Sequence, residues 1–134
     1  DAGGQLIRDA IFSYANSRNN IKLVTHLPRN MYLSLIAHSD VLIGNSSSGI
    51  IEAASFSTNV INIGERQANR ERNQNTVNVE LDAREIRSAI QKALVQKKLA
   101  PNNVYGDGKT GNRISSLLSK LVIDTNTTRK RNAY

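Results

Sequence analysis

Residues 40–49 read Asp40-Val41-Leu42-Ile43-Gly44-Asn45-Ser46-Ser47-Ser48-Gly49. The first part is a short continuous apolar run, which is typical of a strand buried on both faces of a parallel sheet. The second part is rich in hydroxyl side chains, and the apolar stretch from Ile50 to Ala54 after it predicts a helix. A strand that passes through a polar turn into a helix is the repeating unit of an α/β fold.

The same alternation extends to both sides of this segment. Further strands are predicted at Ile21 to Thr25, Asn59 to Ile63 and Val77 to Val79. Apolar residues at helical spacing predict helices over residues 6–14, 31–38, 86–94 and 114–122. We therefore predict an α/β, Rossmann-like fold in which a parallel sheet of about four strands has helices on both faces.

Two of the helices carry N-terminal capping residues. Asn30 is the expected N-cap of the helix over Met31 to His38, and Asp82 with Glu85 forms a capping box before the helix that follows. His38 ends its helix, where a histidine interacts favourably with the dipole, so a structural role is expected for it.

The number of strands is small for the predicted fold, since a complete doubly wound sheet has roughly five or six. The chain also opens directly into a helix. We therefore expect a part of a longer protein, with one domain over residues 1–123 and a polar, disordered tail over residues 124–134.

Composition excludes several classes of protein. The 134 residues include no cysteine, which excludes a disulfide scaffold, a thiolate zinc site and a cysteine nucleophile. Two histidines leave little for a histidine-based metal site. No apolar run approaches the ~20 residues needed to span a bilayer. We therefore expect a soluble domain of a reducing compartment, the cytoplasm, with no membrane span.

The formal net charge is +7. This charge fits either a polyanion such as nucleic acid or a small phosphorylated ligand and a partner domain. Lys and Arg are scattered outside Arg129 to Arg131, and aromatic residues make up only 4% of the chain. Because few side chains are available to stack on bases, nucleic acid is the less favoured interpretation.

Candidate ligand-binding residues follow the predicted strands. In an open parallel sheet, ligands bind beyond the carboxyl ends of the strands. Three segments occupy such positions, namely His26 to Arg29, Gly44 to Gly49 and Gly64 to Asn75.

The serine loop, residues 45–48, is the most informative of these. It leads into a helix N-terminus, where backbone N–H groups and the helix dipole favour an anion, and Gly49 would allow a phosphate to approach the backbone. Glu52, one turn into the helix, is suited to bind the hydroxyls of a ribose. The alternative is a plain helix cap, in which one serine bonds to the first turn and nothing else is bound.

Arginines follow the next strand. Arg66 and Arg70 suit a diphosphate, because a guanidinium is always charged and bonds in a bidentate manner. We interpret Arg72 as a solvated charge. His26 faces the same edge of the sheet, or else only orders its turn. No pair of side chains suited to general acid and base catalysis stands out, so the catalytic residues stay unassigned.

These motifs resemble the UDP-N-acetylglucosamine 2-epimerases. The resemblance rests on residues 44–53 (Gly-Asn-Ser-Ser-Ser-Gly-Ile-Ile-Glu-Ala), residues 62–70 (Asn-Ile-Gly-Glu-Arg-Gln-Ala-Asn-Arg), Asp1-Ala2-Gly3, and residues 103–109 (Asn-Val-Tyr-Gly-Asp-Gly-Lys). The closer similarity is to the hydrolysing branch, which makes N-acetylmannosamine for sialic acid-type sugars. Asn59 departs from the family, which usually has proline at that position.

The resemblance implies the second, UDP-binding domain of a glycosyltransferase-B-like enzyme built from two Rossmann-like domains. It implies that Ser46, Ser47, Ser48 and Gly49 hold the diphosphate, that Glu52 holds the ribose, that Arg66 reaches the phosphates, and that the turn from His26 to Pro28 lies against the uracil. The family reaction is elimination of UDP followed by hydration, with no metal or nicotinamide. Its acids and bases lie mainly in the missing N-terminal domain, which would be a partner within the same polypeptide, and a homo-oligomer is expected at full length.

Two other functions remain open from the sequence. One is the donor-binding half of a glycosyltransferase of the same architecture, and the other is a basic nucleic-acid-binding module. The serine loop followed by Arg-Gln-x-x-Arg argues against the first.

Overall fold

The computed structural model describes residues 4–129. They divide into two compact units, with the boundary after Leu35. The first unit contains helix α1 (Gly4–Asn16), and helix α2 (Arg29–His38) crosses the boundary. The single domain expected over residues 1–123 stays a prediction.

The second unit contains the sheet. Its elements, in chain order, are β1 (Val41–Gly44), α3 (Ser47–Ile51), a 3₁₀ turn (Ala53–Phe56), β2 (Asn59–Ile63), β3 (Thr76–Val79), α4 (Ala83–Val95), α5 (Thr110–Leu118) and α6 (Thr125–Thr128).

The described strands form one parallel sheet in the order β1-β2-β3. Gly44 is paired with Asn62, and Ile63 is paired with Val79, so the carboxyl ends of neighbouring strands lie side by side. The loops that follow these strands therefore leave the sheet at one edge.

Helices cover both faces of the sheet. Gly49 of α3 lies against Val60, whereas Ala93 of α4 lies in a core cluster with Ile61 and Val79. Val60 and Ile61 are consecutive residues of β2, and consecutive side chains of a strand point to opposite faces. The predicted parallel sheet with helices on both faces is thus confirmed.

Buried polar side chains anchor β2 at its amino end. The Asn59 Nδ2 group donates to the carbonyl oxygen of Ala93 in α4 over 3.0 Å, and the Thr58 hydroxyl donates to the carbonyl of Ile36 over 2.7 Å. Asn59, at the position where the family named above usually has proline, thus ties the sheet to helix α4.

The strand predicted at Ile21 to Thr25 is wrong. These residues form no strand, and Leu23 and Val24 are 37% and 57% exposed. β-Branched composition favours an extended chain, but a strand exists only where a neighbour takes its backbone hydrogen bonds.

Two predicted helix starts also differ. Helix α2 begins at Arg29, so Asn30 lies inside it, and Pro28 accepts the Tyr32 N–H from just before the helix. Asp82 caps α4 as predicted, but the Glu85 carboxylate bonds to the N–H of Glu80 instead of that of Asp82. The Glu85 side chain therefore binds the main chain two residues before the position at which a capping box would bind it.

Helix α5 ends at Leu118, earlier than its apolar spacing predicts. The Ser119 hydroxyl bonds to the Ser116 carbonyl, and the next N–H groups, of Lys120 and Leu121, bond three residues back. Such local bonds compete with the helical pattern. Of the expected disordered tail, residues 125–128 form the turn α6, and residues 130–134 lie outside the described part.

No helix within residues 4–129 is long and apolar enough to cross a membrane.

Candidate functional site

Two glycines end adjacent strands at the carboxyl edge of the sheet. Gly44 closes β1 with φ of +143°, and Gly64 follows β2 with φ of +69°. Both values lie in the region that L side chains rarely adopt. The glycines therefore let the chain turn sharply into the serine loop and into the arginine-bearing loop.

The serine loop caps its own helix. Ser46 is the N-cap of α3, and its Oγ accepts the N–H of Ser48 at 3.3 Å, while its carbonyl accepts the N–H of Gly49 at 3.2 Å. The cap that the sequence left as an alternative is thus present. It leaves the hydroxyls of Ser47 and Ser48, both half-buried, as the donors at the start of the helix.

Gly49 has a packing role that the sequence did not indicate. It is buried, and a Cβ placed on it would lie 2.9 Å from Cγ1 of Val60. That separation is shorter than real Cβ contacts, so only glycine lets α3 approach β2 this closely. The expectation that Gly49 also serves the approach of a phosphate stays a prediction beside this packing role.

Glu52 lies at the end of α3, whereas the sequence placed it one turn into a continuing helix. Its N–H bonds to the Ser48 carbonyl at 2.9 Å, and the 3₁₀ turn begins at the next residue. The half-buried Glu52 is therefore fixed at a bend, and its backbone is tied to the serine loop.

The arginine turn, residues 65–70, is tied to the serine loop by Gln67. Gln67 is 5% exposed, and its Nε2 donates to the carbonyl oxygen of Asn45 over 2.9 Å. Arg66 and Arg70 are exposed on either side of it, and within residues 4–129 neither guanidinium has a hydrogen-bond or ion-pair partner. The structure thus brings the two predicted loops together and leaves both guanidinium groups open to a ligand.

Arg72 is not the solvated charge that the sequence suggested. It is half-buried, and its guanidinium donates to the carbonyls of Gln67 and Arg70 and, over 3.3 Å, to Oδ1 of Asn78. The Arg72 side chain thus links two carbonyls of the arginine turn to each other and to β3. The contacts are with backbone carbonyls and one amide, which no sequence spacing reveals.

Asn78 continues this set of bonds into the sheet. Its Oδ1 also accepts from Nδ2 of Asn62, its cross-strand neighbour, over 2.9 Å, and Asn62 bonds further to the Gly64 carbonyl. The side-chain oxygens of Asn62 and Gln67 are buried without a partner among the described residues. A ligand or water that donates there would satisfy them.

The segment from Asn103 to Tyr105 fastens the same region from the other side. Asn103 Nδ2 donates to the Ile51 carbonyl at the end of α3, and the Tyr105 hydroxyl donates to the Glu71 carbonyl over 2.9 Å. The sequence marked this motif only as a resemblance. In the structure it joins α3 to the loop that carries the arginines.

Asp107 and Arg113 form a bidentate ion pair at the start of α5, with N···O distances of 2.7 and 2.8 Å. The hydrogen bond from Arg113 is the main cause that lowers the pKa of Asp107 to about 2, and the Lys109 N–H adds to it. In return, the pKa of Arg113 is raised. This pair fixes the end of the Asn103 to Lys109 motif.

His26 and Pro28 belong to the first unit. Both are exposed and lie in irregular chain just before α2. Their expected place against a uracil stays a prediction. Within residues 4–129, no three His, Asp or Glu side chains come together as a metal site.

Comparison with known proteins agrees with this arrangement. A family model described as UDP-N-acetylglucosamine 2-epimerase matches residues 1–119. The chain belongs to this family. The resemblance seen in the serine loop and in the Arg-Gln-x-x-Arg segment is thereby confirmed.

Curated relatives of this epimerase family chain carry related names. A UDP-N,N'-diacetylbacillosamine 2-epimerase (hydrolyzing) of Legionella pneumophila is 42% identical over 134 residues, all of this chain and 35% of the relative. A GDP/UDP-N,N'-diacetylbacillosamine 2-epimerase (hydrolyzing) of Campylobacter jejuni is 41% identical over 83 residues, 61% of this chain and 22% of the relative. A UDP-N-acetylglucosamine 2-epimerase of Neisseria meningitidis is 32% identical over 79 residues, 59% of this chain and 21% of the relative.

The chain therefore spans between 21% and 35% of the length of these relatives. Most of such an epimerase lies outside the sequence described here. This agrees with a partner domain that the chain itself does not contain.

Proposed function

We propose that this chain is the UDP-binding part of a hydrolysing UDP-N-acetylglucosamine 2-epimerase, which releases UDP and N-acetylmannosamine for sialic acid-type sugars. The observation that carries the proposal is the bond from Gln67 to the Asn45 carbonyl. It places a loop of hydroxyl donors beside a turn with exposed arginines at the ligand-binding edge of a parallel sheet.

The two loops supply complementary parts of a diphosphate site. Ser47 and Ser48 offer hydroxyl donors without charge, and Arg66 and Arg70 offer full positive charges with no competing partner among the described residues. A diphosphate carries about two to three negative charges that some cation must balance where no metal does so. Arg66, one residue before the anchored Gln67, is the best placed of the two.

The proposed reaction has two stages. In the first, a base removes the proton from C2 of the sugar while the bond from C1 to the UDP oxygen breaks, which gives a glycal and UDP. In the second, water adds its hydroxyl group to C1 and a proton returns to C2 on the opposite face. Negative charge grows on the UDP oxygen as it leaves, so fixed donors and cations around the diphosphate favour the first stage.

This chain binds and stabilises the leaving group in that scheme. The general acid and base would come from the rest of the enzyme, because no paired acid and base is evident around the serine loop and arginine turn. Glu52, held at the bend after α3, would bind the ribose hydroxyls, and the turn from His26 to Pro28 would lie against the uracil.

The sugar is a 2-acetamido hexose in each version of the proposal. N-Acetylglucosamine is the first candidate. N,N'-Diacetylbacillosamine is the second, because the relatives at 42% and 41% identity are named for it. Both sugars carry the acetamido group at the carbon that is inverted.

The test incubates the full-length enzyme with each UDP-sugar in D₂O, without an acceptor. We expect UDP, the free 2-epimer and deuterium at C2, read by chromatography and NMR. Deuterium is decisive because simple hydrolysis never breaks the C2–H bond. Release of UDP without deuterium at C2 would contradict the proposal, and release that depends on an added acceptor would indicate a glycosyltransferase.

We also propose that the full-length enzyme works in the cytoplasm as a homo-oligomer. The 134 residues contain no cysteine, so they form no disulfide that would require an oxidising compartment.

A further inference from the structure

The guanidinium of Arg72 is used for contacts within the protein and is not placed to bind UDP itself. Its guanidinium reaches three acceptors: the carbonyls of Gln67 and Arg70, and Oδ1 of Asn78 on β3. The two carbonyls bracket the second half of the arginine turn. The amide of Asn78 is in turn fixed to Asn62 of β2 over 2.9 Å.

We infer that Arg72 is a positioning residue for the diphosphate site, one that holds the arginine turn at a fixed distance from the serine loop. This inference rests on the proposed binding of UDP.

The contacts form a continuous path from the sheet to the serine loop. Arg72 holds the main chain of Gln67, and the side chain of Gln67 holds the main chain of Asn45 over 2.9 Å. Gln67 is buried, so this link is shielded from water. Loosening Arg72 would therefore release the main chain at Gln67, next to Arg66, and at Arg70.

Geometry favours arginine over lysine in this role. A planar guanidinium presents donors in several fixed directions and can serve three acceptors at once, whereas an ammonium is a compact point charge on a flexible stem. Neither carbonyl nor amide neutralises charge, so Arg72 also keeps its positive charge near the site. The test must separate these two contributions.

A binding cycle on the full-length enzyme makes that separation, with UDP as the probe and calorimetry as the measurement. Arg72→Met removes both the charge and the fixed set of guanidinium donors, whereas Arg72→Lys keeps the charge but loses that set of donors. We expect both variants to weaken UDP binding by roughly tenfold. If the Arg72→Lys variant bound UDP as tightly as the parent, the inference would be overturned, because a positive charge at position 72 would then be enough for full UDP affinity.

The same changes are repeated in an Arg66→Ala background. Since Arg72 acts largely through the turn that carries Arg66, its replacement should then weaken UDP binding by clearly less than the roughly tenfold expected in the parent, the remainder being the part that acts through Arg70. An equal loss in both backgrounds would show that Arg72 acts independently of Arg66, and the inference fails. Arg87→Met, an exposed arginine on α4, is the matched control and should leave UDP affinity unchanged.

Folding and function are checked separately. Thermal unfolding verifies that each variant is folded, and if neither Arg72 variant folds, Asn78→Ala removes only one of the three acceptors. UDP affinity must fall in that variant, and an unchanged value overturns the inference. A parent enzyme that binds no UDP rejects the proposed function, whereas a parent that binds UDP regardless of Arg72 rejects only the positioning role.

Discussion

Gly49 shows how one residue sets the position of the serine loop. A Cβ at this position would meet Cγ1 of Val60 at 2.9 Å, and Val60 is a buried, β-branched residue of β2 whose side chain has little freedom to move away. Helix α3 therefore lies on the sheet only because position 49 has no side chain. Any shift of α3 would carry Ser47 and Ser48 with it.

We expect Gly49→Ala to destabilise the full-length enzyme by roughly 1–3 kcal/mol, the usual cost of overpacking a close contact. Urea unfolding measures the loss. Gly111→Ala is the matched control, because Gly111 lies in helix α5 with open space around it, and alanine there should be neutral or stabilising by about 0.5–1 kcal/mol. Equal effects of the two substitutions would contradict the packing role of Gly49.

Arg66 is the residue expected to contribute most to UDP affinity. Arg66→Ala should remove a charge-assisted contact worth roughly 1.5–3 kcal/mol, or about tenfold to a hundredfold in affinity. Arg66→Lys should recover only part, because the fork is lost. Calorimetry with the full-length enzyme measures both, and Arg87→Ala serves as the control. Unchanged UDP binding in Arg66→Ala would show that the site lies elsewhere.

An exposed ion pair between Asp107 and Arg113 lies at the start of helix α5. The Asp107 carboxylate accepts the Lys109 N–H and both terminal nitrogens of Arg113, and these bonds favour its ionised form. A carboxylate whose pKa is lowered by folding stabilises the folded state above its usual pKa, and this contribution is lost as the pH falls through the lowered value.

We therefore expect the start of α5 to lose protection from hydrogen exchange as the pH falls from about 4, the usual pKa of aspartate. The loss should be complete only below the pKa of Asp107, which is about 2. A carboxyl-carbon NMR titration checks the pKa directly. Arg113→Gln should return it toward the usual value, and a parent Asp107 that already titrates there would contradict the assignment.

The pattern of apolar residues alone predicts the strands and the helix that pack into the apolar core of the sheet. β1, β2, β3 and α4 occur where continuous or periodic apolar runs place them. The apolar pattern wrongly predicts a strand at Ile21 to Thr25, because a strand also needs a neighbouring strand as its hydrogen-bond partner. It places the end of α5 too late, because the Ser119 hydroxyl bonds locally to the Ser116 carbonyl.

The candidate site follows the same division. The loops and their exposed arginines can be predicted, since they follow strands that share one edge. The bonds that hold these loops cannot, because they join side chains to distant carbonyls: Gln67 to Asn45, Asn73 to Ile50 and Asn103 to Ile51. No periodicity or composition records such a partner.

For the whole molecule, charge and surface agree with a small anionic ligand. The net charge of +7 includes Arg66 and Arg70 at the edge where the strands end, and such a field attracts a diphosphate by steering. The site itself has the neutral and charged donors that a diphosphate uses. In the proposed enzyme the site would also hold the sugar, and the strands at this edge would form only one wall of it.

The last prediction concerns this one-sided site. We expect the isolated 134 residues to bind UDP weakly and to release none from UDP-N-acetylglucosamine. Binding needs only the diphosphate loops, whereas turnover also needs a base at C2 and an acid at C1, which the proposal places outside the chain. Calorimetry and a coupled UDP assay measure the two properties, and adding the remaining part of the enzyme as a separate polypeptide should restore turnover. Release of UDP by the isolated chain would show that it carries its own acid and base, and the division of labour proposed for this family member would be wrong.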